Sequence, residues 1–134
     1  MTRIKAAICR AFGAPLTIEE VDLRAPEGAE VEVTLSAVAI CHSDISYAEG
    51  HWGGDLPAVY GHEAAGIVTA LGPQAGGVQL GDRVVVTLIR ACGSCPSCAD
   101  AHPALCETPA PAPGPLSLPG GAALVQGMQC GAFA

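Results

Sequence analysis

Basic residues are scarce in this sequence. Six lysines and arginines stand against 13 carboxylates, and the formal net charge is -7. Nucleic-acid binding relies on Lys and Arg to neutralise phosphates. No basic stripe can be assembled from six cations, so a nucleic-acid partner is not expected. Aromatic residues are equally sparse at 4%, and a core must be built mainly from Val, Leu, Ile and Ala. No long amphipathic helical pattern occurs, which argues against a helical bundle. The start, Met1-Thr-Arg-Ile-Lys-Ala-Ala-Ile-Cys-Arg, is broken by charge before any apolar stretch long enough for a signal peptide. From Thr108 to Ala134 no charge occurs at all, but six of the 11 prolines fall between Pro103 and Pro119, and Gly120-Gly121 follows. A membrane span needs about 20 mostly apolar residues in one helix. This segment reads instead as an uncharged loop, and a membrane partner is not expected.

Glycine (17), proline (11) and hydrophobic residues (50%) are plentiful. A chain of 134 residues fits one domain, and this mixture points to short strands joined by many turns. Strands are expected over Ile4–Ala11, Leu16–Val21, Glu30–Ile40, Ala64–Leu71 and Asp82–Leu88. In the third, Val31, Val33 and Leu35 alternate with Glu32, Thr34 and Ser36, the period-two pattern of a half-buried strand. A short helix over Ser43–Glu49, capped by Ser43 or Asp44, is expected between them. The predicted fold is a small, irregular all-β barrel or sandwich whose loops carry the chemistry.

The seven cysteines are unevenly placed. Four of them form Cys92-x2-Cys95-x2-Cys98-x7-Cys106. Without a signal peptide a reducing, cytoplasmic compartment is expected, where clustered thiols read as metal ligands rather than disulfides. Zinc takes four tetrahedral ligands, and a closed set of four thiolates marks a structural site. Gly93 and Pro96 supply the turns between ligands. His102, between Ala101 and Pro103, reads as a solvated loop histidine rather than a competing ligand.

A second constellation combines Cys41-His42-Ser43-Asp44, at the end of the clearest strand, with Gly61-His62-Glu63. Thiolate, imidazole and carboxylate are all ligands that zinc accepts. A catalytic zinc needs three protein ligands and one open place. Cys41 and His62 give two; the third is Glu63 or a residue outside this chain. Asp44 is suited to accept the free ring N–H of His62.

Gly61-His-Glu-Ala-Ala-Gly66-x5-Gly72, followed by Gly81-Asp-Arg-Val84, resembles the zinc signature of medium-chain alcohol dehydrogenases. Cys41-His-Ser-Asp44 upstream and the cysteine loop downstream come in that family's order. The resemblance implies an N-terminal GroES-like β domain over 1–134. It implies that Cys41 and His62 are catalytic-zinc ligands and that Glu63 is the adjacent carboxylate able to approach the metal. Ser43 is then the hydroxyl that hands the substrate proton towards solvent, and His42 contacts the cofactor pyrophosphate. Cys92, Cys95, Cys98 and Cys106 become the structural-zinc set. The implied reaction is NAD(P)-linked oxidation of a small alcohol to an aldehyde or ketone, by a full-length protein that is a homo-oligomer.

Three departures qualify what is implied. The family's third catalytic ligand, usually a Cys, comes later than this chain reaches, and Cys130 in Gly127-Met-Gln-Cys-Gly does not match its context. No Gly-x-Gly-x-x-Gly follows a strand, so no dinucleotide-binding domain is expected here. Ser46 stands where many relatives place a relay histidine, and His51 is not expected to substitute. The chain stops mid-pattern at Gly131-Ala-Phe-Ala134 and is expected to be a fragment or truncated product, inactive by itself. Trp52, Leu88 and Gly53-Gly54 are candidate pocket-lining positions. The competing expectations are a truncated, non-catalytic zinc-binding module and, less favoured by the acidic charge and x7 spacing, a nucleic-acid-binding zinc ribbon.

Overall fold

A computed structural model describes residues 1–108, 114–127 and 130–134. The strands are β1 (Thr2–Cys9), β2 (Thr17–Leu23), β3 (Val31–Val38), β4 (Ala58–Val59), β5 (Ala64–Leu71), β6 (Arg83–Val86), β7 (Leu116–Ser117) and β8 (Val125–Gln126). The helices are short: α1 (His42–Ala48) and α2 (Pro96–Ala99), with a 3-10 turn over Pro103–Leu105. One sheet has the order β7-β2-β1-β4-β8 and the other β3-β5-β6. The expected class holds: the chain is mainly β, with a nearly closed, barrel-like sheet arrangement and few short helices.

All five expected strands form, each with ends within two residues or so of expectation. Alternation is most regular in β5. Along β5, Ala64, Gly66 and Val68 face inward while Ala65, Ile67 and Thr69 face out. In β1 and β2, Ala6, Ile8 and Val21 pack with Val59, Leu116 and Leu124 into the main core. Ile8, Val21, Val59 and Val68 are among the fully buried side chains, each stabilising the fold by about 1.5–3 kcal/mol relative to exposure. Cys9, Ala58 and Tyr60 form a second small cluster, with Tyr47 stacked on Tyr60.

Three expectations need correction. β3 is not a regular half-buried strand. Its pairing with β5 shifts register between Glu32 and Val33 and again between Leu35 and Ala37. Such bulges break strict alternation, and Ala37 and Val38 are exposed. Helix α1 is capped by Cys41, not by Ser43 or Asp44; Asp44 instead accepts the Cys41 amide from three residues on, at 3.0 Å. The uncharged segment after Thr108 is not wholly loop: β7 pairs with β2, and β8 pairs in parallel with β4. Residues 109–113 and 128–129 lie outside the described residues. Strands of two residues leave no periodic trace, which is why β4, β7 and β8 are invisible to pattern reading.

The last residues fasten the core to the site. The Ala7 amide donates to the Phe133 carbonyl, the Phe133 amide to Tyr60 and the Ala132 amide to Gly61. Gly61 has a φ of +92°, and a Cβ there would lie 2.6 Å from the Phe133 ring. Only glycine fits both the conformation and the space, and His62 follows directly.

Candidate metal centres

Strand register assembles the first centre. Antiparallel pairing puts Val38 opposite Ala64, and the Ala39 amide donates to the Glu63 carbonyl at 2.8 Å. The end of β3 and the start of β5 therefore sit side by side. Cys41 leaves one and His62-Glu63 enters the other. One ligand atom from each of Cys41, His62 and Glu63 lies within 4.8 Å of the other two.

His62 and Asp44 are almost completely buried, at 2% and 3% exposure. Asp44 Oδ1 accepts the Gly61 amide at 3.0 Å and sits 3.2 Å from His62 Nδ1. Its Oδ2 accepts the Cys41 amide at 3.0 Å. One carboxylate thus ties both ligand-bearing segments together and engages Nδ1. Nε2 is left facing Glu63 Oε1 at 3.9 Å and the Ser43 hydroxyl at 3.5 Å. A ring nitrogen fixed by a carboxylate on its far side is the usual support of a metal-binding histidine. The Cys41 thiol is held below its ordinary range, by the Ser43 hydroxyl and amide first and then by His62, against burial and Glu63. A thiol inclined to ionise, an oriented imidazole and a carboxylate fit a divalent cation. Residue types predict the Asp44–His62 contact but not the bonds to Cys41 and Gly61. The signal was present, since an acidic residue three positions after a helix cap is capping-box spacing.

The second centre is local. Cys92, Cys95, Cys98 and Cys106 place their sulfurs within 4.8 Å of one another. A tetrahedral zinc with bonds of about 2.3 Å separates its sulfurs by about 3.8 Å, and Cys92 Sγ lies 4.0 Å from Cys98 Sγ. The Cys95 and Ser94 amides donate to Cys92 Sγ at 3.2 and 3.4 Å, and the Cys92 amide donates to Cys106 Sγ at 3.4 Å. The thiols do not ionise alike. The Thr108 hydroxyl, then the Ser94 and Cys95 amides, hold Cys92 down to about 5. The Gly93 amide pulls Cys98 down too, but burial and the three neighbouring thiols outweigh it and push Cys98 up to about 11. Clustered sulfurs that cannot all ionise together call for a cation, and four thiol donors suit zinc. Nothing in the spacing of the cysteines points to Thr108.

The sequence profile described as "Alcohol dehydrogenase GroES-like domain" matches residues 27–134. The chain belongs to this family. It is 40% identical over 102 residues to geraniol dehydrogenase of Castellaniella defragrans, covering 76% of this chain and 27% of that protein. It is 41% identical over 108 residues to an alcohol dehydrogenase of a Moraxella species, covering 78% of this chain and 32% of the relative. The crystal structure of an alcohol dehydrogenase zinc-binding domain protein from Burkholderia ambifaria superposes with a TM-score of 0.83 at 39% identity, over 93% of this chain and 36% of that one. Benzyl alcohol dehydrogenase from Acinetobacter calcoaceticus gives a TM-score of 0.70 at 35% identity, over 80% and 29% of the two chains. The chain therefore spans about a third or less of the length of the curated relatives it matches.

Within this alcohol dehydrogenase domain the remaining candidates separate. His42 is exposed, with Nδ1 3.4 Å from the buried Ser46 hydroxyl. His51 is exposed, 3.5 Å from Glu49 Oε2. His102 is exposed, 3.6 Å from Asp100 Oδ2. Trp52 packs edge-on against Tyr47 with ring centroids 5.0 Å apart, and Leu88 is exposed. The Cys130 thiol donates to the Thr87 carbonyl at 3.4 Å and is pushed up by burial. Neither His102 nor Cys130 joins a metal-holding cluster among the described residues. No helix among them is long and apolar enough to cross a membrane.

Proposed function

We propose that residues 1–134 form the GroES-like, zinc-carrying domain of a zinc-dependent, NAD(P)-linked alcohol dehydrogenase acting on a small alcohol or aldehyde. One observation carries this reading: Cys41, His62 and Glu63 converge within 4.8 Å around a histidine already oriented by a buried aspartate. Cys41 and His62 hold the catalytic zinc, with Glu63 beside it, and Cys92, Cys95, Cys98 and Cys106 hold the structural zinc. A zinc ion at the first centre supplies Lewis acidity, which lowers the pKa of an alcohol hydroxyl and polarises a carbonyl in the reverse direction. Asp44 keeps His62 in the tautomer that leaves Nε2 free. The Ser43 hydroxyl, 3.5 Å from that nitrogen, takes the substrate proton and passes it outward. His42, exposed at the start of α1, meets the cofactor pyrophosphate. A nicotinamide cofactor, held by a separate cofactor domain, would supply the hydride acceptor. The whole enzyme works as a cytoplasmic homo-oligomer.

Metal counting and turnover test the reading together. The chain by itself is expected to retain one zinc firmly and to lose the other to a mild chelator, because the Cys41/His62 centre is short of a ligand. It is expected not to reduce NAD(P) in the presence of alcohols. Alcohol-dependent reduction by the isolated 134 residues would sink the requirement for a second domain. Two tightly held zinc ions would place Glu63 among the ligands. The completeness of the four-cysteine set favours a second reading, a non-catalytic zinc-binding module. A single zinc, combined with no gain of activity on fusion to a relative's cofactor domain, would select it.

A further inference from the structure

We propose that Glu107 is a positioning residue for the four-cysteine cluster, clasping the Cys106 arm to the short helix that follows Cys95 and carries Cys98. This rests on the zinc reading of that cluster. Helix α2 has four residues and begins after Cys95, which occupies the cap position without a side-chain cap bond. At most helix starts a Ser, Thr, Asp or Asn side chain accepts an amide of the first turn. The Cys95 sulfur makes no such bond, and it faces the other three sulfurs of the cluster. Pro96 has no amide to satisfy, so the first amide in need of an acceptor is that of Ser97. Glu107 meets it from the far arm of the loop: its Oε1 accepts the Ser97 amide at 3.2 Å and also the Ser97 hydroxyl.

The consequence is geometric. Glu107 directly follows Cys106, so its grip on Ser97 fixes the fourth sulfur against the helix that carries Cys98 and is capped by Cys95. Beyond it, Arg90 Nη2 donates to the Thr108 carbonyl at 2.6 Å and closes the base of the loop. No residue in this stretch belongs to either hydrophobic cluster, so polar bonds of this kind, with the metal, define the loop. The role belongs to the carboxylate as acceptor and not as charge. A tetrathiolate zinc centre is already anionic, and a further negative charge beside it does not favour the metal.

Zinc release from the 134-residue chain into a chromogenic chelator tests the proposal. Glu107→Ala is expected to speed release about fivefold, the usual weight of a lost helix cap. Glu107→Gln keeps an acceptor oxygen and is expected to stay within twofold of the parent chain, which is about 0.4 kcal/mol by the standard conversion. Ser97→Ala, which loses only the hydroxyl, is expected to fall between them. Cobalt substitution, read by its thiolate charge-transfer absorption, checks that each variant still assembles four sulfurs. A Glu107→Ala chain that releases zinc at the parent rate overturns the clasp. So does a Glu107→Gln chain as fast as Glu107→Ala, since charge would then be the cause. A parent chain that takes up no zinc overturns the zinc reading and the clasp with it, whereas failure of the clasp alone leaves the dehydrogenase reading intact.

Discussion

The four-cysteine cluster draws every ligand from one loop between Cys92 and Cys106, while the Cys41/His62/Glu63 cluster exists only because β3 pairs with β5. The first has one exposed and three half-buried cysteines and is supported by amides of its own loop. The second is anchored by a buried aspartate that bonds three groups from two segments. Metal and fold therefore depend on each other in opposite senses. In the loop, binding organises the chain, because little apolar packing would do so otherwise. In the strand-end centre, the barrel organises the ligands before any metal arrives, because strand pairing and Asp44 already hold them.

The largest test of this contrast removes one ligand from each. Cys106→Ser is expected to abolish firm zinc binding and open the loop to protease, because structural zinc contributes on the order of 10 kcal/mol. Cys41→Ser is expected to leave the zinc of the loop in place and shift the melting temperature of the barrel by no more than a few degrees. Zinc analysis and limited proteolysis of both variants check the pair. Equal damage from the two substitutions would show that both centres are organised in the same way.

Asp44→Ala is the next test. It strips the Cys41 and Gly61 amides and His62 Nδ1 of a shared buried acceptor. An orphaned buried polar group costs about 1–3 kcal/mol, so a loss of about 3–5 kcal/mol is expected in chemical denaturation with zinc held constant. A loss below about 1 kcal/mol would mean that the strand-end centre is not preorganised by this residue.

The two centres were also unequally legible in the sequence. The spacing Cys92-x2-Cys95-x2-Cys98-x7-Cys106 needs no tertiary structure to be read, because a tight loop brings its own sulfurs together. Cys41 and His62 could be grouped by ligand type, and the family resemblance added their roles, but residue types do not reveal which strand ends meet. The strands that bring them together were visible, β3 by alternation and β5 as a β-rich run bounded by glycine, and β5 appears with the expected ends. The register shifts in β3 were not, because bulges are set by the neighbouring strand. The approach of Thr34 O to Gly66, where any Cβ would collide, shows that the glycine and the bulge fit each other. The acceptor roles of Asp44 and Glu107 escaped in part because each bonds an amide distant in sequence.

Within the loop, unequal ionisation gives a smaller test. In the metal-free chain at pH 7, Cys92 at about 5 is almost wholly thiolate, while Cys98 at about 11 is thiolate to roughly one part in ten thousand. Lower basicity gives back about five hundredfold of that advantage. A small disulfide reagent is therefore expected to modify Cys92 about twentyfold faster than Cys98, by peptide mapping. Zinc should protect both. Equal rates would mean that the Thr108, Ser94 and Cys95 donors do not distinguish the sulfurs.

Ser43→Ala is expected to have the smallest effect on the fold and so to sharpen the contrast most finely. Ser43 and Asp44 are neighbours on α1, and both face His62. The Ser43 hydroxyl lies 3.5 Å from Nε2, at the long limit of a hydrogen bond, whereas Asp44 is fully engaged. Removing the hydroxyl should therefore change stability by less than about 0.5 kcal/mol. A group that passes a proton has to exchange partners, and a hydroxyl locked as firmly as Asp44 could not do so. If Ser43→Ala destabilises the chain as much as Asp44→Ala, the hydroxyl is part of the scaffold, and the proton route proposed through it fails.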